Sequence, residues 1–447
     1  MRQKFAEWLN QYGNLTSGAG NLRVSHRSRW GYSVRRRMMK STIQKAFRLI
    51  CAFVALVLPL ASLGFGQDPT WHGRPASGWL YILDSKRNEA ESAVLVLDPE
   101  KGRIVESLYG GYQPDIAVAP DGSRLYLTYS ETENTHEGKM QVIDTSTGAV
   151  LKELPNRNRW LTTIETYAAN MVLSRDGAWL YLFKMIASSD STFHLEIFDT
   201  RLNTFLPDKI DLPGCVSATM VPSVAEDGVY VICGGTKDVR FVSVDRGSKT
   251  VRVSPIIRDV NSPFREEAGT NVPGHVESHY VATGFVNPEG KTFTVVTTDG
   301  LYLKGDIASG RVIDHDSLDR TIQGANGGPG AGVSAGWLDD RWVRNQRPVL
   351  SSDGNRIYLG LGTAKMLYHG SQLHDRIAVL NAATMDLIKI IDPHRTFWSF
   401  AISSNESQLY VVDSDHAVVG VLDVNSGREL STVSGVGTTP VYAVVAP

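Results

Sequence analysis

Val419-Gly420-Val421-Leu422-Asp423-Val424-Asn425-Ser426-Gly427 is an apolar strand, then an acidic residue, then a glycine four positions on. The aspartate opens a turn through its side chain and the glycine supplies a positive φ near its end, so the stretch reads as a β-hairpin. The same pattern recurs around Asp98, Asp144, Asp199, Asp245, Asp306 and Asn381, which makes seven copies. Three of them carry Asn203, Lys249 and Met385 at the glycine position.

A second unit precedes each hairpin: an apolar strand, Asp-Gly or a relative, then an alternating strand rich in Tyr, Leu and Val. Its copies begin at Ala119, Ser174, Ala225, Asn287, Ser351 and Ser403, with turn residues spaced 55, 51, 62, 64 and 52 apart. The seventh copy is divided. Ser77-Gly78-Trp79-Leu80-Tyr81 matches the half after the turn, and Tyr442 to Pro447 at the other end of the chain matches the half before it, Ile116 to Pro120. Seven repeats of slightly more than propeller length predict an all-β, seven-bladed β-propeller whose first blade is completed by the C-terminal strand, a closure that removes open sheet edges. No amphipathic helix separates the strands, which argues against a doubly wound α/β fold.

Ahead of the repeats, residues 1–66 hold 11 of the 45 basic residues and a single acid, Glu7. The remainder has 34 basic against 46 acidic residues, a body charge of −12 that should be repelled by nucleic acid and anionic membrane. Lys40, Lys45 and Arg48 precede an apolar run from Leu49 to Leu63, with small residues Gly64 and Gly66 before Gln67. This reads as an export signal with a long basic leader over 1–66, and a propeller over 67–447 that is periplasmic or secreted. The run is short for a membrane span, so membrane attachment is expected only if the signal is retained as an anchor. Arg35-Arg36-Arg37 just before Met38 loosely follows a twin-arginine pattern. Cys51 lies inside the signal, leaving Cys215 and Cys233, and a lone pair in an exported body suggests one disulfide.

In a propeller the innermost strand of each blade lines the channel, and the segments leading into those strands share one face. Tyr112, Gln113, Asp115, Tyr167, Asn170, His275, His279, Arg344, Arg347, Phe397 and Trp398 fall on such segments. Aromatic, His and Arg side chains would thus converge on one mouth, as ligand sites on closed β folds do, or simply plug and solvate the channel. No catalytic or metal-binding residue is assigned. His275 and His279 lack helical geometry and a third ligand, and Asp314, Asp316 and Asp319 lack calcium-loop spacing. Gly332-Val333-Ser334-Ala335-Gly336 sits in a glycine run, without the strand and helix a nucleophile elbow needs.

Arg159-Trp160-Leu161, Thr166-Tyr167 and Leu212-Pro213-Gly214-Cys215 form one stretch that resembles the heavy chain of methylamine and aralkylamine dehydrogenases, with YVTN-repeat propellers as broader relatives. A second stretch runs from Arg356-Ile357-Tyr358 through Asp375 to Leu380 and on to Gly427-Arg428-Glu429-Leu430. The resemblance implies that Cys215 and Cys233 are the family's intradomain disulfide pair. It also implies a non-catalytic scaffold with no cofactor of its own, whose partner is a small, cysteine-rich light chain bearing a tryptophan-derived quinone. The glycine-rich stretch from Gly324 and the segment Trp337 to Trp342 depart from the family. Two other readings stay open: a stand-alone binding propeller with another exported partner, and a propeller lactonase or hydrolase using Arg347, His279 and an acid in the channel.

Overall fold

In this computed structural model the described residues are 73, 75, 77–84, 92–131, 138–156, 171–185, 193–207, 209–212, 218–223, 227–233, 238–245, 248–257, 281–297, 301–318, 348–366 and 372–446. The expected export signal lies outside them.

Seven antiparallel blades follow the repeats. Blade 1 holds β1 (Leu80–Asp84), β2 (Ser92–Asp98) and the first half of β3 (Arg103–Val118), and blade 2 the second half of β3 with β4 (Arg124–Ser130), β5 (Gly138–Asp144) and β6 (Val150–Asn156). Blade 3 has β7 (Met171–Leu173), β8 (Trp179–Met185) and β9 (Phe193–Asp199), its outer strand broken into β10 (Thr204–Phe205) and β11 (Ile210–Asp211). Blade 4 comprises β12 (Ala218–Pro222), β13 (Gly228–Cys233), β14 (Asp238–Val244) and β15 (Val251–Ile257). Blade 5 comprises β16 (Val281–Val286), β17 (Thr292–Thr297), β18 (Leu301–Asp306) and β19 (Val312–Ser317). Blade 6 is β20 (Val349–Leu350), β21 (Arg356–Met366), β22 (Gln372–Asn381) and β23 (Leu387–Ile391); blade 7 is β24 (Ser399–Ile402), β25 (Gln408–Asp413), β26 (Val418–Asp423) and β27 (Glu429–Ser434).

The last strand, β28 (Pro440–Val445), pairs with β1 and completes blade 1 as its innermost strand. The broken repeat is rejoined by hydrogen bonds. In the intact turn of blade 2, Ala119 N donates to Arg124 O at 2.9 Å and Gly122 N to Ala119 O at 2.8 Å. Across the split, Ala446 N donates to Trp79 O at 2.7 Å and Gly78 N to Ala446 O at 3.1 Å, reproducing that turn without a covalent link.

The core is divided among the seven blade interfaces, one apolar cluster at each. Strand β1 shows how: Leu80 and Ile82 pack against Tyr410 and Val412 of blade 7, while Tyr81 and Leu83 pack against Leu125 and Leu127 of blade 2. Alternate residues serve opposite interfaces because side chains alternate across a strand. Both faces of a middle strand are therefore covered, and β1 is buried at every position. Outer strands meet solvent, and β27 buries only Val433. Successive clusters join blades 2–3, 3–4, 4–5, 5–6 and 6–7 in turn, so the ring closes.

Every hairpin aspartate works as the sequence reading requires. Asp144 Oδ1 accepts the amides of Ser146 at 2.8 Å and Thr147 at 3.1 Å, and Asn381 Oδ1 accepts those of Ala383 and Thr384 at 2.8 and 3.0 Å. The fourth position is left-handed in all seven copies, at φ values from 51° to 69°, including Asn203, Lys249 and Met385. Two local features depart from the repeat. Gly228 opens β13 rather than taking a left-handed turn; a Cβ there would lie 2.5 Å from Val242 O, so close packing explains this glycine. Blades 1 and 2 are joined not by a loop but by the continuous strand β3, bent at Gly111, where φ is 60° and a Cβ would strike the Tyr129 ring at 2.1 Å.

Candidate functional site

Strand directions divide the ring into two ends. The Asp-Gly turns and the hairpin turns occupy one, the turn end. The segments leading into the innermost strands occupy the other, the mouth end, where the sequence placed the candidate residues.

Of those candidates, Tyr167, Asn170, His275, His279, Arg344 and Arg347 lie outside the described residues. Gln113 is within β3, but its side chain is outside the description. Tyr112 is half-buried at the start of the blade 2 half of β3, opposite Ser130. Asp115 is only 3% exposed, with Oδ1 accepting its neighbour's amide, Ile116 N, at 2.8 Å.

Phe397 and Trp398 are corrections. They are 0% and 2% exposed, so neither presents a surface to a partner. Phe397 packs in the cluster between blades 6 and 7, edge-on to Phe400 with ring centroids 6.2 Å apart, and Trp398 packs with Tyr81, Tyr129 and Val441. The segment already runs as an extended ladder, Trp398 N donating to Val412 O at 2.8 Å, and in an extended chain adjacent side chains take opposite sides. Here blades cover both sides.

The described part of the mouth end is built from carboxylates tied to backbone. Asp84, at the end of β1 and 2% exposed, accepts Thr438 N at 3.0 Å and Thr439 N at 2.6 Å, fastening the segment that leads into β28. Gly437 makes room for that carboxylate, since a Cβ there would lie 2.3 Å from Asp84 Oδ2. Asp413 holds the same place in blade 7 and accepts the amides of Asp415 and His416, both at 3.1 Å. Its Oδ2 is 2.8 Å from Nδ1 of the exposed His416. A serine stands beside this His–Asp pair, but Ser414 donates its hydroxyl to Pro440 O rather than to His416, so the trio is a tie between blades and not a nucleophile with its base.

Asp375, on β22 near the mouth end of blade 6, is chemically different. Burial raises its pKa above the ordinary carboxyl value, Arg376 at 3.5 Å opposes that shift, and the negative charge of Asp392 adds to it. Sequence reading used Asp375 only as part of a family motif; burial of a strand residue is a tertiary property that no local spacing reveals. Among the described residues, no group of three or more His, Cys, Asp or Glu side chains is placed to hold a metal ion.

Comparison with known proteins points the same way as the resemblance read from the sequence. Residues 77–258 match the sequence profile of the methylamine dehydrogenase heavy chain. The methylamine dehydrogenase heavy chain of Methylorubrum extorquens is 21% identical over 369 residues, covering 81% of this chain and 81% of that one. Among solved structures, a protein of unknown function from Desulfotomaculum acetoxidans superposes with a TM-score of 0.54 at 12% identity, over 83% of this chain and 99% of that one. A putative 6-phosphogluconolactonase from Bacteroides uniformis gives 0.53 at 13% identity, over 83% and 99%. At such identities the two structures speak for the propeller fold alone.

Proposed function

We propose that this methylamine dehydrogenase heavy-chain-like propeller is the exported, non-catalytic scaffold subunit of a quinone-dependent amine dehydrogenase, and that its mouth end receives a small, cysteine-rich light chain. The observation that carries the reading is the match of residues 77–258 to the heavy-chain profile, extended by a relative aligned over 81% of the chain. The division of labour follows: the partner's tryptophan-derived quinone supplies the redox chemistry, and this chain supplies a rigid ring and a lined approach. Tyr112, Gln113, Tyr167, Asn170, His275, His279, Arg344 and Arg347 are the groups proposed to line it. Buried Asp115, Phe397 and Trp398 shape the rim from beneath. Export through the signal in 1–66, and a Cys215–Cys233 disulfide, belong to the same proposal.

The test is purification from the native host's exported fraction. A small co-purifying protein with a modified tryptophan, detected by its mass deficit and visible absorbance, supports the reading. Amine oxidation by this chain alone would overturn it. N-terminal sequencing of the same material should begin near Gln67, and denatured, unreduced protein should show no free thiol.

A second reading rests on where the profile match ends. It stops at residue 258, ahead of the glycine-rich stretch from Gly324, so the later blades could serve a different exported partner. A co-purifying protein without a quinone would favour it.

A further inference from the structure

The repeat itself supplies a template for a ligand. Arg356 opens β21 directly after the turn Ser351-Ser352-Asp353-Gly354-Asn355, and its guanidinium reaches into blade 7 to pair with Glu406 at 2.7 Å. Glu406 also accepts the amide of Ser352. Arg124 opens β4 at the same place in its repeat, after Ala119-Pro120-Asp121-Gly122-Ser123. In the following blade, however, the residue in the place of Glu406 is Gly177. Arg124 reaches across to neutral oxygens instead, the Thr200 carbonyl at 2.5 Å and Asn203 Oδ1 at 3.3 Å.

Where the carboxylate is missing there is a cavity of about 290 Å³ between blades 2 and 3, walled by Pro120, Arg124, Tyr126, Gly177 and Thr200 and opening at the turn end. Pro120 helps keep it free, because a Cβ on Gly177 would lie 2.8 Å from Pro120 Cδ; the residue in that place beside Glu406 is Ser352. The volume is at the small end for ligand pockets. Asp121, Asp176 and Arg201 also stand in the wall, Arg201 Nη2 lying 3.7 Å from Asp176. Two carboxylates thus balance two guanidiniums, and the wall has no net charge to hold a second negative charge on the occupant.

We infer that this cavity binds a short-chain monocarboxylate, whose carboxylate sits beside Arg124 as that of Glu406 sits beside Arg356. Tyr126 and Ser123 line the same pocket, the Ser123 hydroxyl already donating to Asp121 Oδ1 at 2.7 Å, and Pro120 and Ala178 give the alkyl stem an apolar wall. The site is at the opposite end of the ring from the proposed partner surface, so it stands or falls independently of the heavy-chain reading.

Calorimetry and thermal melting of the full mature protein test it, with propionate, its neutral isostere propionamide, and succinate as probes. Propionate should bind saturably and raise Tm, propionamide should do neither, and succinate should bind more weakly. Arg124→Gln removes the charged donor and should weaken propionate about tenfold or more. Because Arg124 also ties two blades, a second variant keeps the test independent of folding. Pro120→Ser with Gly177→Glu rebuilds the blade 6–7 arrangement in the cavity, with a glutamate at a left-handed position as at Glu406. It should abolish binding while still unfolding cooperatively, at a Tm lowered by no more than a few degrees. Absence of saturable propionate binding, equal binding of propionamide, or binding that survives in the refilled variant would each overturn the inference.

Discussion

The fourth residue after each hairpin acid is left-handed whatever its side chain, so the turn imposes the conformation and glycine merely meets it at the lowest cost. Asp413 directs an eighth such turn, and there Ala417 takes φ 53°. A left-handed L-residue costs roughly 1–2 kcal/mol, and glycine's extra freedom in the unfolded chain returns part of that. Ala417→Gly should therefore stabilise the protein by about 1 kcal/mol, read as a rise in the denaturation midpoint at unchanged slope. Gly427→Ala should do the reverse by a similar amount, since its Cβ would find only ordinary contact with Ile391 at 3.5 Å. The acids of these turns also set a pH dependence. Hydrogen bonds from Ser146, Ser309 and Ser426 lower the pKa of Asp144, Asp306 and Asp423, and Ser351 with Asn355 brings Asp353 down to about 2. A folded-state pKa below the unfolded one contributes stability that is complete above about pH 4 and is lost as pH falls towards 2. Melting between pH 4 and 2 should show this limb, and Asp→Asn at 144, 306 and 423 together should make it shallower. Asn381, a natural amide in the same turn, indicates that such variants will fold.

Among elements, the strand that decides the architecture is the one furthest in sequence from its partners. β28 pairs with β1 from Leu80↔Val445 to Leu83↔Tyr442, and its Val441 and Ala443 enter the clusters on both sides of blade 1. Deleting Thr439 to Pro447 removes an innermost strand, strips Asp84 of one amide partner and opens sheet edges in blade 1. The expected outcome is aggregation or loss of cooperative unfolding in denaturant; a soluble variant with an unchanged midpoint would refute the closure. This element was legible because its sequence copies Ile116 to Pro120. Repeats are readable wherever turn chemistry, a local property, fixes them. The fusion of blades 1 and 2 through β3 was not, because Gly110-Gly111 looks like a loop signal and only the nearby Tyr129 ring shows why glycine is needed inside a strand. Broken β10 and β11 escaped for a similar reason: no local signal says which of two short segments will pair with β9. The mouth was legible as a place, from the order of strands, but not as a surface. Phe397 and Trp398 look like exposed anchors until the blades on both sides of them are in position.

For the whole molecule, seven interfaces in a closed ring mean that no blade can move without opening two of them, so the mouth end is a fixed frame for whatever docks there. That rigidity separates surface from support among the residues first grouped together. Trp398→Ala empties a site between blades 1 and 2, and large aromatic-to-alanine changes in cores cost about 3–5 kcal/mol. It should lower Tm markedly, and any loss of partner binding should recover at temperatures well below the new midpoint. Arg347→Ala is expected to behave in the opposite way if Arg347 is a docking group: Tm within a degree or so of the parent, and partner affinity reduced about thirtyfold, the effect of losing roughly 2 kcal/mol at an interface anchor. The two variants form a controlled pair, each predicting where the other should be silent. They are compared by titrating the proposed light-chain partner at 15 °C and following amine-dependent dye reduction by the mixture. If Arg347→Ala leaves the affinity unchanged while Trp398→Ala lowers it with the fold intact, the docking surface is on the blade 7 side and the scaffold reading must be redrawn around it.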